Sequence, residues 1–233
     1  MKTLVITGGS KGIGKATAAL FATHGYQVIN IARSASGLPD VHDLALDLAS
    51  SDLDAQIHAE LLPLIKPSEA LVLIHNAAQL RSGSLQATSG DELRQILDLN
   101  VTAPQRLNQQ LLPLMSTGSA ILYVGSTLSE KAVANSFSYV TSKHAMLGMM
   151  RATCQDLIGT GIHTACICPG FTDTEMLRAH VGDNPEVLEA IANGNGFGRL
   201  VSPGEMASLL FYTAENPVIN GSVLHGNLGQ IES

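Results

Sequence analysis

The chain has 233 residues, of which 45% are hydrophobic and 14% charged. That excludes intrinsic disorder, which needs a polar, highly charged chain, and the length suits one α/β domain. Twenty acidic against thirteen basic side chains leave a net charge of -7, the opposite of the basic footprint of a general nucleic-acid binder.

Met1-Lys2-Thr3 leads straight into Leu4-Val5-Ile6. This apolar run is too short for a signal peptide and stops at Gly8-Gly9, so it reads as the first strand, Thr3 to Thr7, of a cytoplasmic protein. No apolar run is long enough to cross a membrane. Ile13 to His24 reads as a helix ended by Gly25, and Gln27 to Ala32 as the second strand. A short third strand is expected at Leu44 to Leu48, then a helix from Ser51 to about Ile65. Ala70 to Ile74 is continuously apolar, as a strand of a parallel sheet covered on both faces should be. Asp91 to Met115 reads as a long helix with Pro104 as a point of kinking. There follow a strand at Ala120 to Val124, a helix at Phe137 to Ile158, and a strand at Ile162 to Cys168 closed by Pro169-Gly170. Thr174 to Ala192 reads as helix in pieces, interrupted by Gly182 and Pro185. Pro203 opens a helix at its favoured first position, running to about Ala214, and Ser222 to Leu224 is a last short strand. Strands alternating with helices imply one doubly wound parallel sheet of about seven strands with helices on both faces, in a single domain over residues 1–233.

Between the first strand and the first helix lies Thr7-Gly8-Gly9-Ser10-Lys11-Gly12-Ile13-Gly14. Glycines let the backbone turn tightly and approach phosphates, and a helix N-terminus offers free N–H groups to an anion, so this loop is placed to take a pyrophosphate. An acidic residue ending the second strand would accept from the ribose 2′-OH of NAD. Here the strand ends Ala32-Arg33-Ser34, and Arg33 with Lys11 offers cations to a 2′-phosphate instead. This favours NADP(H) over NAD(H).

Tyr139 and Lys143 stand four apart on a helix and share a face. A free tyrosine ionises near pH 10, and a neighbouring ammonium lowers that by stabilising the phenolate. Ser126 follows the fifth strand at its C-terminal end, where open α/β sheets place their sites. Together with Asp47-Leu48, Asn76-Ala77-Ala78, Asn100, and Pro169-Gly170 followed by Thr172 and Thr174, these motifs make nearly the whole chain resemble the single-domain short-chain dehydrogenases/reductases.

The resemblance implies a Rossmann fold and NADP(H)-dependent interconversion of a ketone or aldehyde and an alcohol. It implies Tyr139 as general acid and base, Lys143 as the group that lowers its pKa and holds the ribose, and Ser126 as the group that polarises the carbonyl. Asn100 would sit at a break in its helix and support a proton relay to Lys143. Gly8, Ser10, Lys11, Gly12, Ile13 and Gly14, with Arg33 and Ser34, would hold the phosphates. Asp47 and Leu48 would line the adenine pocket, and Asn76 to Ala78 would pass the adenosine ribose. Pro169, Gly170, Phe171, Thr172 and Thr174 would contact the nicotinamide. Residues 172–198 would form a glycine-punctuated substrate lid, and a homodimer or homotetramer would assemble through the two long helices.

The chain departs from the family pattern in His75-Asn76-Ala77-Ala78, in the tail His225-Gly226-Asn227, and in a segment between Arg33 and Asp47 short enough to trim one helix. The scattered histidines show no metal-binding spacing, so no metal is expected. Cys154, Cys166 and Cys168 read as buried small hydrophobes of a reducing compartment. No arginine cluster awaits a phosphate or a carrier protein, which favours a small neutral carbonyl substrate. The competing reading is a non-catalytic NADP(H)-binding sensor or assembly subunit.

Overall fold

Apolar runs in this chain become strands because they are covered on both faces. In the computed structural model, which describes residues 1–66, 69–182 and 184–230, β1 (Thr3–Thr7), β4 (Leu71–His75), β5 (Ala120–Val124) and β6 (His163–Pro169) are buried along their whole length. With β2 (Gln27–Ala32), β3 (Val41–Ala45) and β7 (Val223–Gly226) they form one sheet in the order β3-β2-β1-β4-β5-β6-β7, and every pairing is parallel. The winding reverses between β1 and β4. This is the point at which an open sheet leaves a crevice beyond its strand ends.

Side chains alternate between two cores. Leu4, Ile6, Val72, Ile74 and Leu122 face α1 (Gly12–Thr23) and α8 (Pro203–Glu215), where Phe21 packs edge-on against Tyr26 and Phe211. Val5, Leu73, Ile121 and Tyr123 face the other side. There they meet α2 (Leu53–Gln56), α4 (Ala103–Leu111) and α5 (Phe137–Asp156). The remaining helices are α3 (Gly90–Leu97), α6 (Glu175–Val181) and α7 (Pro185–Ala192), the last two separated as Gly182 and Pro185 foretold.

Two expectations change. The third strand is Val41–Ala45 rather than Leu44 to Leu48, because Val41 to Ala45 are the residues in register with Val28 to Ala32. Leu46 and Leu48 are buried just beyond it. The helix from Ser51 is only four α residues, after which the chain widens into a π turn, Ile57–Leu61, and tightens into a 3-10 turn, Leu62–Leu64. The break at Asn100 that the resemblance implied is present: the long helix from Asp91 is interrupted by a π turn at Asp98–Thr102. Pro104 has no N–H to direct at the carbonyl of Asn100 four residues earlier, and the N–H of Ala103 reaches back five residues to Asp98. As the short segment after Arg33 suggested, β2 and β3 are joined without a helix.

Candidate active site

The glycine loop is built by close approach. A Cβ on Gly14 would stand 2.3 Å from the carbonyl oxygen of Gly8 and 2.5 Å from Nδ2 of Asn76, so only glycine fits there. Asn76 Nδ2 donates to the carbonyls of Thr7 and Gly8 at 3.0 and 3.1 Å, and the N–H groups of Asn76 and Ala77 both donate to Thr7 Oγ1. Asn76 to Ala78 are thus half-buried beside the loop. Lys11 takes the N-cap position of α1 with no side-chain cap, and the first turn carries no acid, leaving N–H groups and the helix dipole directed at an incoming anion. Ser10 Oγ donates to the carbonyl of Ser34, which draws the β2–β3 loop against the glycine loop. Lys11 and Arg33 are exposed at this junction, and neither has an ion-pair partner among the described residues. Asp47 is exposed and accepts from the N–H of Ala49, while Leu48 is buried in the core.

The catalytic candidates converge beyond the C-terminal end of β5. Ser126 caps the 3-10 turn Thr127–Ser129, and its Oγ accepts from the N–H of Leu128 at 3.1 Å. Its hydroxyl proton remains free for another oxygen. The Ser126 side chain stands beside the Tyr139 hydroxyl and favours its ionised form. Burial pushes the Tyr139 hydroxyl up to about 12 against the opposing effect of Ser126, and burial brings the Lys143 ammonium down to about 8. Lys143 Nζ donates to the carbonyl of Val124 at 2.7 Å and lies 5.5 Å from the centre of the Tyr139 ring. Lys143 therefore does not lower Tyr139 below its ordinary value in this structure, since loss of water around the phenol dominates. Asn100, fully buried in the π turn, donates from Nδ2 to Gln79 O and Ser142 Oγ and accepts from the N–H of Gln79. Ser142 in turn donates to the carbonyl of Tyr139 at 2.8 Å, so Asn100 reaches the tyrosine through its helix.

Cys166 and Cys168 form the floor. Their sulfurs lie 3.9 Å apart beneath Gly125, where a Cβ would come within 2.7 Å of Cys166 Sγ. They are buried, as expected, whereas Cys154, also expected to be buried, is only half-buried. Across the cleft, Thr172 pairs with Val201 in an isolated bridge, and Thr174 caps α6. Thr174 also presses on the glycine loop, its Cγ2 3.0 Å from where a Cβ on Gly12 would stand. Gly170 lies against Asn227 of the tail, with a notional Cβ 2.8 Å from its Cα, and Phe171 is exposed. Ser82 Oγ and His180 Nδ1 meet at 3.3 Å, linking the loop after β4 to α6. Residue 183 of the expected lid lies outside the described residues. Reading the residues alone missed Gly9, Asn30, Gln79, Ser142 and this Ser82–His180 contact. Of these only Asn30 carried a signal, as an amide inside an apolar strand that must find partners. Among the described residues no cluster of three metal-ligating side chains occurs, and no helix is long and apolar enough to cross a membrane.

Residues 2–184 match the family model for short chain dehydrogenase. The chain is 30% identical to the 3-oxoacyl-(acyl-carrier-protein) reductase FabG of Vibrio cholerae, over 98% of this chain and 96% of the relative. Among solved structures it is similar to the aldohexose dehydrogenase of Thermoplasma acidophilum, with a TM-score of 0.90, 26% identity and coverage of 98% and 93%. It is also similar to a Pseudomonas aeruginosa RhlG/NADP active-site complex, with a TM-score of 0.87, 27% identity and coverage of 98% and 95%. A seven-stranded parallel Rossmann sheet, the glycine loop at its switch point and the match over most of the chain agree, and the chain belongs to the short-chain dehydrogenase family of oxidoreductases.

Proposed function

We propose that this chain uses NADP(H) to reduce a ketone or aldehyde to an alcohol, or runs the reverse, with Tyr139, Ser126, Lys143 and Asn100 as the working residues. The observation that carries this reading is the convergence of Tyr139 and Ser126, two hydroxyls able to meet one carbonyl oxygen, with Lys143 beside them. NADPH, when bound, supplies the hydride. The chain fits that group: the loop of Gly8, Ser10, Gly12, Ile13 and Gly14 ends at the uncapped, acid-free N-terminus of α1, which suits a pyrophosphate, and Lys11 and Arg33, with Ser34, would face a 2′-phosphate as cations without an ion-pair partner among the described residues. The RhlG structure, a complex with NADP, supports the same choice. Asp47 and Leu48 line the adenine end, Asn76 to Ala78 the ribose, and Pro169 to Thr174 the nicotinamide.

Ser126 donates its free proton to the carbonyl oxygen and polarises it. Tyr139, protonated at neutral pH as a free tyrosine is and held so more firmly by burial, gives its proton to the same oxygen as it becomes an alkoxide. The resulting phenolate faces the Lys143 ammonium, which has three donors and uses one on Val124. Replacement protons arrive through Lys143 from the π turn, where Pro104 has withdrawn the helical donor from the Asn100 carbonyl.

The substrate is a small neutral carbonyl compound covered by residues 172–198. Arg178 and Arg199, on and beside this segment, are neutralised by Asp173 and Glu205, so the lid offers no free guanidinium there to a phosphorylated or carrier-borne substrate. A homodimer or homotetramer through α4 and α5 follows the family habit, and three free thiols suit the cytoplasm. The test is NADPH oxidation across ketones, diketones, aldehydes, quinones and acyl-thioester β-ketones, with Tyr139→Phe alongside. Turnover that needs both NADPH and Tyr139 is expected. Equal turnover by Tyr139→Phe would overturn the assignment.

A further inference from the structure

Asn30 is a fully buried amide in an otherwise apolar strand, and the parallel register sets it beside Asp43 of β3. Each end of the amide is engaged. Its Oδ1 accepts from the N–H of Gly9 at 2.7 Å, and its Nδ2 donates to Asp43 Oδ1 at 2.7 Å. The second oxygen of Asp43 accepts the N–H and the hydroxyl of Ser36 at 2.9 and 3.0 Å, and Ser36 Oγ accepts from the N–H of Leu38 at 3.2 Å. The fit at Gly9 admits no side chain, since a Cβ there would stand 2.6 Å from Asn30 Oδ1. Although burial works to raise the Asp43 carboxyl, the hydrogen bonds from Asn30 and Ser36 hold it below its ordinary value, so it stays an anion and keeps its role as double acceptor.

The chain Gly9–Asn30–Asp43–Ser36 joins two loops. One carries Ser10 and Lys11, and the other, between β2 and β3, carries Arg33 and Ser34. No helix spans the second loop, so its course depends on these bonds and on the Ser10–Ser34 contact. The only acid of β3 has its carboxylate engaged by Asn30 and Ser36, directed away from the role of receiving a ribose hydroxyl.

We propose that Asn30, Asp43 and Ser36 are positioning residues for cofactor choice: they fix the spacing of Lys11 and Arg33 so that the pair receives a 2′-phosphate. The proposal rests on the NADP(H) reading above and extends it to residues that do not touch the nucleotide. A loop held open or shut by a lost bond would misplace the cations and weaken NADPH, while NADH, lacking the phosphate, would be little affected.

The experiment compares the full chain with Asp43→Asn, Ser36→Ala and Arg33→Ala, measuring kcat and KM for NADPH and NADH separately, with melting temperature to confirm folding. Asp43→Asn is expected to raise KM for NADPH about tenfold with kcat and the NADH parameters within about twofold, and Ser36→Ala to do the same more weakly. Ser36→Ala carries the test if Asp43→Asn does not fold. A loss that falls equally on both nucleotides, or in kcat alone, overturns the proposal. Arg33→Ala separates the two claims. If it lowers the NADPH preference and the other variants do not, positioning fails and the cofactor reading stands. If it leaves the preference unchanged, the cofactor reading fails and takes the proposal with it.

Discussion

Lys143 gives a hydrogen bond to the carbonyl of Val124, at 2.7 Å, and none to Tyr139. The carbonyl belongs to the last residue of β5, so the ammonium is anchored to the sheet itself. Burial lowers Lys143 to about 8. Its charge is present below that pH and is lost as pH rises through it. For the free enzyme, kcat/KM is therefore expected to fall on the alkaline side with an apparent pKa near 8. A profile flat from pH 7 to 10 would show that the charge on Lys143 is not used.

Tyr139→Phe removes the proton donor and leaves the ring in place. A loss of roughly 10²- to 10⁴-fold in kcat is expected, the range for a positioned general acid, with NADPH binding by fluorescence nearly unchanged. Loss of binding instead would mean that the hydroxyl serves mainly to hold the nucleotide.

Lys11 and Arg33 are exposed, so their attraction for a phosphate is screened by salt. Raising the ionic strength should increase KM for NADPH several-fold more than KM for NADH, and Lys11→Ala should reduce that difference. Identical salt responses for the two nucleotides would contradict a 2′-phosphate site there.

A methyl group on Gly14 would strike the backbone of Gly8. Gly14→Ala is expected to cost about 1–3 kcal/mol, as overpacking commonly does, and to weaken the nucleotide together with the fold. Thermal melting with and without NADPH measures both effects.

His75 supplies a fifth physical handle. Its Nε2 faces Asn108 Oδ1 at 2.7 Å, while Asn108 Nδ2 donates to Tyr123 at 2.8 Å. Nε2 must therefore carry the proton, and buried Nδ1 has no hydrogen-bond partner among the described residues. A second proton would bury a cation, and burial holds the ring down to about 4. The unfolded chain binds that proton near pH 6.5, so stability is full above 6.5 and declines as pH falls from there to 4, by roughly 3 kcal/mol at most. Urea unfolding at pH 7.5 and 5, compared with His75→Asn, checks the sign and the source.

Much of this was legible in the residues. β1, β2 and β5 begin and end where their apolar runs do, because a strand buried on both faces has no competing pattern. The separation of α6 from α7 was written in Gly182 and Pro185. The fault at Asn100 was legible in the family resemblance and in Pro104, but the π turn that absorbs it was not, since a missing N–H shows in sequence and the way a helix accommodates it does not. β3 was misplaced because an edge strand is half exposed, and Leu44, Leu46 and Leu48 mimic a strand while two of them pack beyond its end. Asn30 stands out as an amide among apolar strand residues, but its pairing with Asp43 depends on strand register and the Ser82–His180 contact on a loop crossing a cleft, and neither partnership leaves a local mark.

The floor of the site has its own implication. Gly125 rests on the sulfurs of Cys166 and Cys168, so the height of Ser126 above the sheet is set by the bulk of two side chains in the neighbouring strand. Turnover in this protein is then tunable from below. Larger or smaller groups at 166 and 168 would raise or sink the serine relative to Tyr139, and rate-altering substitutions should be found in a dry layer that no substrate reaches.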